Sequence, residues 1–170
     1  MPVSRGANSH TFEVTTPSDT DIVMTRLFDA PRHLVFEALT KPEHIRRWWG
    51  ILDDGYSVPV CEMDARPGGK WRFVGAGPKG QSPDFYGEIR EIVPAEKIVY
   101  TEIFAPFPDV VSVVTATLTE ERGKTKLTVS CSYPSKDVRD MVISTGMEHG
   151  AAISYDRLDD VARELAAHAA

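Results

Sequence analysis

A small set of polar side chains could do chemistry inside this chain. They are Arg72, Glu88, Arg90, Thr101, Glu102, His44 and His149. An enzyme would need one of them to reach an interior pocket as a general acid or base with a tuned pKa. Arg72, Glu88 and Arg90 alternate with large apolar residues, so we expect them on the solvent face of strands as cross-strand ion pairs. Thr101 is the better candidate to face inward and orient a ligand, and both histidines are expected at the surface or at a rim.

Established catalytic and metal-binding motifs are absent from the sequence. It has no GxSxG elbow, no HExxH and no zinc-type ligand spacing. The segment 75–80 is glycine-rich but lacks the GK[ST] ending of a phosphate-binding loop, which favours a hairpin turn. Acidic pairs such as Asp53-Asp54 and Asp159-Asp160 are expected to be solvated. We therefore predict no catalytic residues, no metal and no cofactor.

Two adjacent tryptophans, Trp48 and Trp49, precede Gly50. Adjacent side chains cannot both face the same core, and each indole can bury ~150–250 Å². The pair is expected either to plug the end of the sheet or to gate the mouth of a cavity. Both alternatives stay open at this point.

Apolar residues alternate along the strand-like segments and recur on the C-terminal helix. Their pattern indicates either a filled core or a cavity that binds a hydrophobic small molecule, and small residues on facing elements favour a void. The predicted ligand-binding set is Trp48, Trp49, Trp71, Phe73, Phe85, Ile89, Thr101, Val114, Ala116, Met147 and Ala151.

Length and composition limit the function classes. The 170 residues suit one domain, 10–170, after a flexible leader at 1–9. The formal net charge of −6 argues against nucleic acid or an anionic membrane surface as a partner. No apolar run is long enough for a membrane span or resembles a signal peptide. Cys61 and Cys131 read as buried free thiols in a reducing compartment, so we expect a cytoplasmic protein. We expect it to be a monomer or a homodimer.

The order of predicted elements indicates an α+β fold. Strands are expected at 11–15 and 21–28, and the second of these should lie at a sheet edge. Two short helices follow, the second with a capping box from Thr40 to Glu43. A meander of strands from 58 to 133 precedes a helix capped by Ser135 and a long helix from 147 to about 167. These strands cannot bury their apolar face alone, so the long helix must lie across it.

Four segments resemble the START-like helix-grip (SRPBCC) superfamily. They are TRLFDAPRHLVFEALTKPEHIRRWWG, RPGGKWRFVGAGPKG, YGEIREIVPAEKIVYTE and SKDVRDMVISTGMEHGAAISYDRLDDV. They look closest to the branch similar to the C-terminal domain of the heat shock protein 90 ATPase activator and to CalC-type proteins. The resemblance implies a curved antiparallel sheet of about six to seven strands wrapped around a long C-terminal helix, with two short helices after the first strand.

Several functions are compatible with this resemblance, because one fold can carry many activities. Binding of a hydrophobic or aromatic small molecule between sheet and helix is the first expectation. A polyketide cyclase or aromatase-like enzyme is the second. An interaction protein that acts on a chaperone ATPase is the third.

Overall fold

The computed structural model describes residues 8–169 of the chain. The first seven residues of the predicted leader lie outside the described residues. Its last two, Asn8 and Ser9, belong to the folded part. Asn8 is 4% exposed, and Ser9–Thr11 form one turn of 3₁₀ helix.

Within residues 8–169, eight strands form one antiparallel sheet. They are β1 (Glu13–Thr15), β2 (Asp21–Phe28), β3 (Ser57–Met63), β4 (Lys70–Ala76), β5 (Asp84–Val93), β6 (Lys97–Phe104), β7 (Ser112–Glu121) and β8 (Lys124–Ser132). Their order across the sheet is β1-β2-β8-β7-β6-β5-β4-β3. The predicted fold class is confirmed, with one strand more than the upper prediction. The prediction that β2 forms an edge was wrong, because the three-residue β1 pairs along its outer side.

Four α-helices complete the fold of the described part of the chain. They are α1 (Arg32–Thr40), α2 (Pro42–Trp48), α3 (Lys136–Ser144) and α4 (Met147–Ala169). Ser135 caps α3 as predicted, since its hydroxyl accepts a hydrogen bond from the Val138 N–H at 3.2 Å. The predicted capping box of α2 was wrong. The Thr40 hydroxyl instead donates back to the Phe36 carbonyl of α1 at 2.8 Å.

Irregular register bends the sheet around the interior. The pairing shifts between Ser57 and Val60 on β3 and between Ile89 and Glu91 on β5. Such irregularities bend a strand and increase its local twist. The sheet therefore has a concave face, which the helices cover.

The long helix α4 has two halves with different neighbours. The C-terminal half buries Leu158, Val161 and Ala162 in the core, where α4 contacts α1, α2 and β2. The N-terminal half presents Gly150, Ala151 and similar small residues to the concave face. Because these side chains are short, the space between this half and the sheet is not filled.

A cluster of charged side chains is buried beside the C-terminal half of α4. We call Arg26, Asp156 and Asp159 the ion cluster. Arg26 is 1% exposed, and its Nη2 donates to Asp156 Oδ1 at 2.7 Å. The expectation that Asp159 is solvated was wrong. Asp159 is fully buried, and its Oδ1 accepts a hydrogen bond from the Asp29 N–H at 3.0 Å.

Candidate functional site

A cavity of about 620 Å³ lies between the concave face of the sheet and the helices α3 and α4. Nine of the eleven predicted ligand-binding residues line it: Trp48, Trp49, Trp71, Phe73, Phe85, Val114, Ala116, Met147 and Ala151. Its volume falls in the usual range for small-molecule sites, ~300–1,000 Å³, and its wall is mainly apolar and aromatic as such sites are. The interior of this domain is therefore not a completely filled core.

Two predicted site residues do not line the cavity. Ile89 is fully buried in the core, on the part of β5 where the register shifts. Thr101 is also buried, but its hydroxyl accepts a hydrogen bond from the Glu88 N–H at 3.0 Å. Thr101 therefore joins β6 to β5 and does not point a polar group at a ligand.

Gly87 and Thr101 hold one wall of the cavity in place. The Trp71 indole N–H donates to the Thr101 carbonyl at 3.0 Å. A Cβ atom at position 87 would lie 1.8 Å from that carbonyl oxygen and 2.8 Å from the indole nitrogen. Only glycine permits this close approach. Gly87 therefore permits the observed orientation of the Trp71 indole and does not itself enlarge the cavity.

The two adjacent tryptophans have separate roles. Trp48 is 8% exposed, and its indole N–H donates to the Ala38 carbonyl at 2.9 Å, which fixes α2 against α1. Trp49 packs edge-on against Phe73 and Phe85, with ring centroids at 5.4 and 5.8 Å. The structure therefore gives different roles to the two tryptophans that were expected to act together as a plug or a gate. Trp48 is mainly a core residue, and Trp49 forms part of the cavity wall.

Among the described residues, Glu102 on β6 is the one acidic side chain in the cavity wall. Alternation along β6 turns Tyr100 and Glu102 toward the cavity. Glu102 pairs with Ser112 on β7, and the Ser112 hydroxyl donates to the Glu102 carbonyl at 3.1 Å. Cys131 and Tyr133, at the end of β8, line the same region. These five residues form the polar end of an otherwise apolar cavity.

The polar end has unusual protonation properties because its side chains lie in the cavity wall, where they are largely shielded from bulk water. Burial raises the pKa of Glu102 to about 7. Burial also raises the pKa of the Cys131 thiol to about 12, and the pKa of Tyr100, Tyr133 and Tyr155 moves upward for the same reason. Glu102 is therefore the group here that can change its charge near neutral pH.

No partner neutralises the Glu102 carboxyl in the described part of the chain. Within residues 8–169 it has neither a salt bridge nor a hydrogen-bond donor to its carboxyl oxygens, and no Lys, Arg or His lines the cavity. Glu102 was among the polar candidates from the sequence, but Thr101 was preferred as the inward residue. The alternation of Ile98, Tyr100, Glu102 and Phe104 was the signal that identifies the inward face of β6.

The cavity opens between the β6–β7 connection and α3. Phe104, Phe107 and Met141 line the cavity and are 37%, 49% and 44% exposed. Phe104 also stacks on Phe85, with centroids 4.8 Å apart. Large apolar side chains at an opening leave apolar surface in contact with water, which is typical of a binding entrance.

A second depression of about 610 Å³ lies between α2, β3 and α4. It is more open to solvent than the central cavity and is bordered by Arg46, Arg47 and Arg157. Charged side chains in a wide groove retain most of their hydration, so this surface offers a ligand less burial than the central cavity does.

The remaining polar candidates lie outside the cavity. Lys70 pairs with Glu88 at 2.7 Å, and Arg72 pairs with Asp84 at 2.8 Å, both across neighbouring strands on the solvent face. The prediction of a solvent-facing, cross-strand arrangement is confirmed for Arg72 and Glu88. Arg90 is exposed, as is His149, and His44 is half-buried outside the cavity wall.

Two other kinds of site are absent from the described range. Within residues 8–169, no three His, Cys, Asp or Glu side chains are grouped as metal ligands would be. None of the helices described is both long and apolar enough to cross a membrane. Cys61 and Cys131 are free and buried, as predicted.

The chain was compared with known families and structures. The family model described as "Activator of Hsp90 ATPase homolog 1-like protein" matches residues 29–163. No curated protein matches the chain. A crystal structure from Rhodobacter sphaeroides has a TM-score of 0.81 at 24% identity and covers 91% of this chain and 99% of its own. A crystal structure from Mycobacterium smegmatis has a TM-score of 0.78 at 26% identity, with coverages of 88% and 94%.

Proposed function

The chain belongs to the family of activator of Hsp90 ATPase homolog 1-like proteins, and from that premise we propose that it binds a hydrophobic small molecule in its central cavity. The observation that carries the proposal is an apolar cavity of about 620 Å³ beneath an opening edged by exposed aromatic rings. Transfer of a ligand's apolar surface from water into such a space is favourable by about 25 cal/mol per Å². The two buried free thiols suit a reducing compartment, so we place the protein in the cytoplasm as part of this proposal.

Native mass spectrometry of freshly purified protein tests the proposal most directly. We expect an adduct of small-molecule mass that disappears when the protein is denatured. A broad panel of lipids and aromatic compounds should also raise the melting temperature, since a ligand that binds only the folded state stabilises it. A protein that carries no adduct and is stabilised by no compound of the panel would contradict the proposal.

A substitution that fills the cavity gives a sharper test. A Cβ atom at Gly150 would meet only Leu52, at 3.9 Å, so Gly150→Phe can enter the cavity without a backbone clash. We expect this variant to fold and to lose the ligand. Ala167→Phe is the matched control because Ala167 is exposed on the same helix. Equal binding by both variants would place the ligand elsewhere.

A second candidate function is an enzyme of polyketide cyclase or aromatase type. One observation favours it: Glu102 is a carboxyl inside the cavity whose pKa is raised to about 7, where a general acid or base works well. A synthetic poly-β-ketone substrate, followed by the absorbance of the aromatic product, tests this function. We would expect turnover by the wild-type protein and none by Glu102→Gln, with ligand binding retained. Binding without turnover would contradict the enzymatic function and support ligand binding.

The family description names activation of the Hsp90 ATPase, which makes a chaperone partner a third testable expectation. The measurement is the steady-state ATP turnover of purified Hsp90 with and without this protein. Stimulation that persists in Gly150→Phe would separate a chaperone-binding surface from the cavity. An unchanged rate of ATP turnover would contradict the expectation that Hsp90 is a partner.

A further inference from the structure

The position of Glu102 constrains the chemistry of the ligand. The carboxyl lies in a wall where the neighbouring inward side chains on β6 and β8 are Tyr100, Cys131 and Tyr133. No Lys, Arg or His of the described residues contributes to the cavity lining, so no positive side chain faces the carboxyl inside the cavity. An ionised carboxylate in such a place is costly unless a positive charge is brought to it.

The rest of the cavity is suited to a cation with an apolar body. The faces of aromatic rings attract positive charge, and they do so most strongly when the site excludes water. Trp49, Trp71 and Phe85 supply such rings along the apolar wall, while Tyr100 and Tyr133 adjoin the carboxyl. The same surroundings repel an anion, since a ligand carboxylate would meet Glu102 with no arginine or lysine to balance it.

From this arrangement we infer that the cavity is selective for a hydrophobic molecule that carries one protonated amine, with the amine at Glu102 and the apolar body among the aromatic rings. This inference rests on the proposed binding function and names the class of its ligand. Fatty acids and other apolar anions are excluded because their negative charge would meet that of Glu102. Neutral apolar molecules can enter but leave the carboxylate without a partner.

The other ionisable groups around the carboxyl do not compete with this role. Tyr100 on β6, Cys131 and Tyr133 at the end of β8, and Tyr155 on α4 all have a pKa raised by burial, so they stay neutral between pH 6 and 8. The side chains that α3 and β7 contribute to the wall near Glu102 do not titrate. Binding of the amine should therefore follow the ionisation of Glu102 alone.

The experiment compares three compounds of similar shape: 2-naphthylmethylamine, 2-naphthylmethanol and 2-naphthylacetic acid. Binding to the full chain is measured by isothermal titration at pH 8. We expect the amine to bind at least about tenfold more tightly than the alcohol, and the acid to bind most weakly. Glu102→Gln should lose that preference for the amine and keep its affinity for the alcohol. Glu121→Gln is the control because it removes an exposed carboxyl from the same sheet.

The pH dependence of the wild-type protein is an independent measurement that needs no variant. Glu102 has a pKa of about 7, and an alkylamine keeps its proton through pH 8. The ionised fraction of Glu102 then rises about tenfold from pH 6 to pH 8, and amine affinity should rise with it. Affinity for the alcohol should not rise over this interval.

The outcomes separate this inference from the proposed function. If the three compounds bind equally well and Glu102→Gln changes nothing, the charge selectivity is wrong while the binding function stands. If the acid binds best, the inference is overturned in the same way. If none of the compounds binds and no adduct is found by mass spectrometry, both the inference and the binding function fail.

Discussion

The ion cluster and the polar end of the cavity both place acidic groups away from bulk water, but they differ in what surrounds each carboxyl. Asp156 receives a hydrogen bond from Arg26, and Asp159 lies between the Asp29 N–H and the guanidinium groups of Arg26 and Arg163. Glu102 has no comparable partner in the described residues. Within residues 8–169, the side-chain hydrogen bond to Glu102 goes to its backbone carbonyl, from the Ser112 hydroxyl.

The difference shows in how each carboxyl titrates. Burial raises the pKa of Asp159, while the Asp29 N–H and the charge of Arg26 act in the opposite direction. Burial alone acts on Glu102 and raises its pKa to about 7. A buried acid with its own counter-charge stabilises one arrangement of helix and sheet. An acid without one leaves a position for a group that comes from outside, and this contrast is the physical basis of the proposed amine selectivity.

The largest expected effect comes from removal of the counter-charge of the ion cluster. Arg26→Met keeps most of the side-chain volume but removes the buried cation from Asp156 and leaves Asp159 with the half-exposed Arg163. We expect a loss of about 3–5 kcal/mol in the free energy of unfolding, since a broken buried pair leaves uncompensated charge. Urea denaturation at pH 7 measures it.

A matched control uses another arginine that pairs with an acidic residue of α4. Arg47→Met breaks an ion pair with Glu164 in which both side chains are about half exposed. Exposed pairs contribute ~0–1 kcal/mol, so this variant should be nearly as stable as the wild type. A similar loss in both variants would show that the ion cluster is no more important than a surface pair.

A substitution in the cavity is expected to raise the free energy of unfolding instead of lowering it. Glu102→Gln removes a carboxyl whose folded-state pKa, about 7, exceeds its unfolded value near 4.3. As pH rises between these values the unfolded chain releases a proton that the folded protein keeps, so the wild type loses stability, and the loss is complete just above pH 7. After allowance for partial solvent access, the variant should be more stable by on the order of 2 kcal/mol at pH 8 and equal at pH 4.

Denaturation midpoints at pH 4, 6 and 8 measure this difference. Glu121→Gln should show no such rise in stability with pH, because its carboxyl is exposed. A Glu102→Gln variant that is less stable than the wild type at pH 8 would mean that the carboxylate has a partner within the fold. The comparison between the two acidic regions would then no longer hold.

Local patterns in the sequence were sufficient for the fold and for most of the cavity wall. Alternation of apolar and polar residues predicted β2 at its observed bounds, 21–28, and brought Trp71, Phe73 and Val114 to one face. These features depend on the two-residue period of a strand, which neighbouring residues reveal. The strand expected at 11–15 is shorter in the structure, Glu13–Thr15, because Ser9–Thr11 form a turn of 3₁₀ helix before it.

Features that depend on distant partners could not be predicted in this way. Asp159 and Asp160 are adjacent, yet one is fully buried and the other exposed, because Arg26 approaches α4 from a strand about 130 residues earlier. The role of the buried Thr101 hydroxyl depends on its hydrogen bond from the Glu88 N–H of the neighbouring strand. Alternation along β6 could have identified Glu102, but the absence of a counter-charge around it is a property of the assembled cavity.

The smallest expected effect concerns Ser112. It tests whether the Ser112 hydroxyl bonds only the backbone of Glu102 and leaves the Glu102 carboxyl without a partner. Ser112→Ala removes the buried hydroxyl that donates to the Glu102 carbonyl, at a cost of about 1 kcal/mol. Ser132→Ala, at an exposed position on β8, should cost less than half of that. Because the Ser112 hydroxyl bonds the backbone and not the carboxyl, Ser112→Ala should lose stability equally at pH 4 and pH 8. A loss confined to pH 8 would instead identify this hydroxyl as a partner of the ionised carboxylate, and the Glu102 site would then resemble the ion cluster more closely than its geometry indicates.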